Sequence, residues 1–124
     1  MPNYYDAGDI DLAWRVMDAE YSVRYCADLV TYHPSVAPER HPEGRYFSAR
    51  NRVWLARRNL PVMLAVLYVL TWFVIDTLRL RSPATAAQHV RGYHAGLRET
   101  CGGRSPMSWR TVSRMTRLGR PPVI

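Results

Sequence analysis

Lysine is absent from this 124-residue chain, whose 17 basic residues are all arginine. Cysteine is almost absent. Cys26 and Cys101 are too few and too far apart for a disulfide framework or a C-x-x-C metal site, so a reducing compartment is the default. No charged stretch followed by an apolar segment opens the chain, and no signal peptide is expected. Internal repeats are lacking, as are a glycine-rich phosphate loop and an Asp-x-Asp in a nucleotide-binding βα setting. What remains is 48% hydrophobic, enough for a modest core and about one domain's worth of chain.

Acid is scarce in one half only. Residues 1–43 carry a net −5 and residues 44–124 a net +12, together giving the formal +7 of the chain. Such asymmetry suggests two functional halves, the second suited to phosphate, anionic lipid or nucleic acid. The abundance of Arg, Ala and Pro also fits a GC-rich coding bias, yet guanidinium binds phosphate and carboxylate bidentately whatever its origin.

Along residues 9–20, Ile10, Ala13, Trp14 and Met17 fall on one helical face, with Asp9 as N-cap and further acid in the first turn. From Tyr21 the β-branched and aromatic alternation of "YSVRYCADLVTYH" predicts one or two short strands ending at His33-Pro34. "PSVAPERHPEG" is a loop. A second helix is expected from Arg45, with Tyr46, Ala49, Val53 and Ala56 on one side. A third is expected from Ser82-Pro83, with Ala86, Val90, Tyr93 and Leu97 on its face. Gly102-Gly103 breaks the chain. Ser105-Pro106 signals a last short helix with Trp109, Val112 and Met115 opposite Arg110, Arg114 and Arg117, and Gly119 stops it.

Between Arg58 and Asp76 lie seventeen uncharged residues. At ~1.5 Å per residue they span ~25 Å, slightly less than the ~30 Å hydrocarbon core of a bilayer. A membrane-associated helix and a buried one are both compatible with residues 59–81. Arginine flanks the run on both sides, against the asymmetry of a single clean span, while the basic terminal helix offers a second, electrostatic membrane contact.

Asp9-x-Asp11 taken alone is ordinary helix punctuation. In order around it stand Tyr4-Tyr5, Asp9-Ile10-Asp11-Leu12, Arg15, His33 and Arg50-Asn51. Over residues 3–61 this arrangement resembles the C-terminal part of a bacterial family 2 glycosyltransferase of the inverting GT-A type, whose acidic motif has the form E-D-x-D-L-x-x-R. Gly8 departs from it, standing where the family usually has Glu.

The resemblance implies an α+β, mainly helical architecture. Residues 1–58 would be the C-terminal remnant of a GT-A catalytic domain, with one helix and one or two short strands. Residues 59–81 would be a strongly apolar helix, and 82–124 a basic helical extension. It further implies transfer of a sugar from a nucleotide donor to a glycan or lipid acceptor with inversion. Asp9 would be the general base that deprotonates the acceptor hydroxyl. Asp11 and Arg15 would fix the motif's geometry, and His33, Arg45 and Arg50 are candidates for the donor diphosphate or its metal. The family's Asp-rich nucleotide domain has no counterpart here. The chain is therefore expected to be inactive alone, as a fragment or a subunit completed by a separate N-terminal half. The Mg or Mn of the complete enzyme would not be bound by this chain by itself. The expected location is the cytoplasmic face of the inner membrane, or the cytoplasm. The alternatives are a non-enzymatic basic helical protein on a membrane surface or on nucleic acid, and a small integral-membrane interaction protein. Nucleic acid is disfavoured because the most apolar segment sits inside the basic half.

Overall fold

A computed structural model describes residues 7–32 and 43–123. Five helices run through them: α1 (Gly8–Asp18), α2 (Gly44–Asn59), α3 (Val62–Leu78), α4 (Pro83–Arg98) and α5 (Trp109–Arg117). No strand occurs among the described residues, so the α+β class and the GT-A remnant with its strands are both overturned in favour of an all-helical architecture. The reason is visible in residues 21–32. They carry a strand's side-chain alternation, but Val23, Tyr25, Leu29 and Tyr32 are exposed and no neighbouring backbone pairs with them. A strand pattern without a sheet to join remains irregular chain. His33 lies outside the described residues, as do Tyr4-Tyr5.

α2 is the axis of the fold. On one side Ala49 and Val53 are fully buried against α4, where Gly92 and Gly96 let the two backbones approach closely. A Cβ at Gly96 would stand 2.6 Å from Val53 Cβ and 2.9 Å from the Arg50 carbonyl oxygen; one at Gly92 would overlap the Tyr46 carbonyl. The packed face of α4 is therefore His89, Gly92, Tyr93 and Gly96, and of the predicted Ala86, Val90, Tyr93 and Leu97 it keeps Tyr93 alone as a buried residue. Val90 and Leu97 face outward because close backbone contact leaves no room for them. On the other side, Leu55, Ala56 and Leu60 join Trp14, Ala65, Tyr68, Met107 and Met115 in the main core. Trp14 meets Tyr68 edge to face at 5.9 Å.

The apolar helix expected over 59–81 is also corrected. α2 continues to Asn59, Leu60-Pro61 break the axis, and α3 occupies only 17 residues. No helix among the described residues is long and apolar enough to cross a membrane. α3 buries Ala65, Tyr68 and Asp76 on one face, the last paired with Arg52 at 3.3 Å. The Arg52 guanidinium in turn stacks 3.9 Å from the Trp72 ring centroid.

Helix ends follow local chemistry where the sequence offers it. Ser82 caps α4 through the Thr85 amide, as expected. α5 starts three residues later than Ser105-Pro106 suggested, with Ser108 as its cap. The reason is that the Ser105 and Met107 amides are bound to the carbonyls of Arg58 and Asn59, which holds residues 105–107 extended against the end of α2. Gly119, at φ 72°, closes α5 with the paired bonds from its own amide to Thr116 and from Arg120 to Met115.

Between α3 and α4, His89 is buried with Phe73 stacked at 5.2 Å and Tyr93 at 4.8 Å. The Thr77 hydroxyl donates to the Phe73 carbonyl, so the Nε2–H tautomer of His89 completes the 3.3 Å contact with Thr77. Burial pushes the imidazole below its ordinary value, and Arg45 and Arg52 add to this, against an opposing pull from Asp76 and the Phe73 carbonyl. A group whose pKa is lower in the folded state stabilises fully above its unfolded value near ~6.5, and that stability is lost as pH falls. The melting temperature should accordingly fall between pH 7.5 and 5.5. In His89→Gln, circular dichroism melts should show a shallower fall over the same interval.

Candidate active-site region at the start of α1

The two aspartates of the opening motif meet opposite environments. Gly8 is already helical, Ala7 is the N-cap position, and no side chain caps the helix, so Asp9 is a first-turn residue and not the expected cap. Its side chain is exposed and has no hydrogen-bond or ion-pair partner among the described residues. Asp11, two residues further on, is only 8% exposed. Its Oδ1 accepts from Asn59 Nδ2 at 2.6 Å and lies 3.7 Å from Arg58 Nε, while Oδ2 is 3.4 Å from Arg15 Nη1.

Asp11 thus ties α1 to the end of α2, and Arg15, four residues on, completes the pairing from the solvent side. Arg58 and Asn59 were not singled out by the motif. The signal available was a polar Asn, 3% exposed, immediately before the helix-breaking Leu60-Pro61. Asn59 Nδ2 also donates to the Leu55 carbonyl at 3.1 Å, so its amide bridges two acceptors and holds one orientation.

Asp9 is one of the residues lining a groove of about 440 Å³ between α1 and the end of α5. Ile10, Trp14, Met17, Val23, Met115 and Leu118 line it, together with Arg120. The walls are mostly apolar, and the carboxylate and the guanidinium are its charged groups. A hydroxylated molecule with an apolar body could seat that body here and present a hydroxyl to Asp9.

The arginines proposed for donor phosphate are not gathered at this site. Arg50 lies two turns before Arg58, ~12 Å along α2. It is held by Asn51 Oδ1 at 3.2 Å, by Glu99 at 3.9 Å and by stacking 4.2 Å over Trp54. Asn51 beside it is fully buried. Arg45 is exposed in the first turn of α2. Nor does the basic half form one free phosphate-binding face. Arg57 donates to the Gly96 and Glu99 carbonyls at the end of α4, and Arg104 to the Arg57 and Leu60 carbonyls at the end of α2. Arg114 does the same for Met17 and Tyr21 at the end of α1, and Arg110 pairs with Glu20 at 2.6 Å. Guanidinium groups placed on the unsatisfied last carbonyls of helices satisfy those acceptors and the helix dipole together. Much of the arginine excess is thereby structural.

At the start of α5, Asp18 accepts from the Ser108 amide and the Thr111 hydroxyl, both at 2.8 Å. Partial burial raises its pKa, but these bonds, the Ser108 hydroxyl and the charge of Arg114 outweigh it and hold the carboxyl below its ordinary value.

No group of three His, Cys, Asp or Glu side chains comes together among the described residues. Asp9 and Asp11 do not form a cation pair-site either, since Asp11 is engaged by Asn59, Arg58 and Arg15. The described residues alone thus offer no donor set for the Mg or Mn implied by the resemblance, and His33, a candidate for that metal, lies outside them. No protein family, no characterised protein and no solved structure matches the chain. The likeness to family 2 glycosyltransferases therefore rests on the ordered motif residues alone.

Proposed function

We propose that the chain supplies the acceptor side of an inverting glycosyltransferase, with Asp9 as general base. The observation that carries this reading is the division between the two aspartates. Asp11 is consumed by Arg15, Arg58 and Asn59, while the exposed Asp9, without a partner among the described residues, lines an apolar groove. In the reaction the Asp9 carboxylate takes the proton of an acceptor hydroxyl. The oxygen attacks the anomeric carbon from the face opposite the nucleoside diphosphate, which departs with the bonding electron pair, and the configuration inverts. The acceptor is a glycan or a lipid-linked hydroxyl. The nucleotide sugar, with any divalent cation, is held by a separate nucleotide-binding half, to which His33, Arg45 and Arg50 remain candidate contributors. The site of action is the cytoplasmic face of the membrane or the cytoplasm.

The test is made in the source cell. Replacing Asp9 by Asn at the natural locus should abolish the same glycan or glycolipid that deletion of the gene abolishes, as read by mass spectrometry of extracted glycoconjugates. The variant chain should accumulate to normal levels. A general base is worth ~10²–10⁴-fold in rate, so loss of product should be nearly complete. An unchanged glycoconjugate profile in the Asp9→Asn strain would refute the reading. The purified chain alone should release no nucleoside diphosphate from nucleotide sugars.

A further inference from the structure

α3 presents a face that the fold does not use. Met63, Val66, Leu67, Leu70, Val74 and Leu78 are each at least half exposed and recur at helical spacing along the side opposite Ala65, Tyr68 and Asp76. From Met63 to Leu78 this stripe extends for ~23 Å without a charged group. An apolar stripe of this length is more than scattered surface hydrophobicity. Immediately past its end stand two exposed arginines, Arg79 and Arg81.

We infer that α3 lies in the plane of an anionic lipid bilayer surface, its outer stripe at the acyl boundary and Arg79 and Arg81 on lipid phosphates. Two observations choose this occupant. The inner face of α3 is committed to α1 and α2 through Tyr68 and the Asp76–Arg52 pair, so only the outer face is available and the helix lies on the surface instead of crossing it. Charge then decides between lipid and a second copy. Arg79 and Arg81 follow the stripe and are exposed, so parallel pairing of two α3 helices sets arginine against arginine. The acids of the basic half do not relieve this. Asp76 is buried with Arg52, and Glu99 is at the end of α4 beside Arg50. Anionic headgroups above an apolar layer complement both features at once. The inference goes beyond the acceptor-side reading and stands or falls without it.

The full chain is tested by flotation with phosphatidylcholine vesicles, with and without phosphatidylglycerol. It should partition to the anionic vesicles, less so at high salt. Leu70→Asp should lower the partition coefficient at least tenfold, as expected for losing one buried large aliphatic side chain. Arg79→Ala with Arg81→Ala should lower it about thirtyfold, from ~1 kcal/mol per basic residue near the surface. Each of these side chains is exposed, so circular dichroism should show the fold retained; Val90→Asp on the exposed side of α4 should bind as the parent does. Three results would overturn the inference: no partition to anionic vesicles, partition that survives Leu70→Asp, or a dimer in sedimentation that Leu70→Asp dissolves.

Discussion

Gly92→Ala and Gly96→Ala should each destabilise the protein by roughly 2 kcal/mol, although alanine is the better helix former. A methyl group in place of hydrogen normally gains ~1 kcal/mol inside a helix. At Gly96 that methyl would stand 2.9 Å from the Arg50 carbonyl oxygen and 2.6 Å from Val53 Cβ, and at Gly92 it would strike the Tyr46 carbonyl. Backbone cannot turn aside as a flexible side chain can, so α4 must move off α2, at the ~1–3 kcal/mol or more that overpacking costs. The double variant should lose up to about 4 kcal/mol, a large share of the roughly 5–15 kcal/mol of a typical small protein. Urea titration followed by circular dichroism measures this directly. Gly103→Ala serves as the control, since a Cβ there meets nothing within 4 Å.

The second large effect belongs to Asp11. Asp11→Ala removes the acceptor of Asn59, which is 3% exposed, and the counter-charge of the part-buried Arg58. Leaving a buried donor and a charge uncompensated costs about 3 kcal/mol, near the lower end for a broken buried pair because Arg15 and part of Arg58 reach solvent. Asn59→Ala should be less damaging, and the double variant should show a coupling of ~1–3 kcal/mol in a thermodynamic cycle. Independent losses that simply add would show that the contact does not join α1 to α2 energetically.

Which parts of this architecture can be read from the sequence follows from where the determining contacts lie. Ser82-Pro83 and Gly119 act on their own neighbours within a few residues, and both mark helix boundaries correctly. Ala49 and Val53 are small or apolar at helical spacing, and the face they mark is the buried one. The face of α4 escapes the same reasoning because its key residues are glycines, which carry no hydrophobic signal and matter only once a second backbone is beside them. The segment 21–32 has the side chains of a strand, but pairing is a property of two segments and the described chain offers no second. Likewise, arginines 57, 104 and 114 look like a solvated basic surface until the helix ends they satisfy are in place. In the candidate site, the acidic motif names Asp11 and Arg15, which pair at 3.4 Å, alongside the exposed Asp9. It does not reveal Arg58 and Asn59, which lie 47 and 48 residues away from Asp11 in the chain.

The division of labour between the two aspartates is tested most directly by thermal denaturation of Asp9→Asn beside Asp11→Asn. An exposed carboxylate without a partner among the described residues contributes only its small interaction with the helix dipole, so Asp9→Asn should melt within ~3 °C of the parent. Asp11→Asn loses a counter-charge shared by two arginines and should melt lower by about 8 °C, corresponding to ~2 kcal/mol in a domain of this size. Equal melting temperatures for the two variants, or a larger loss for Asp9→Asn, would contradict the assignment of Asp11, and not Asp9, to the fold.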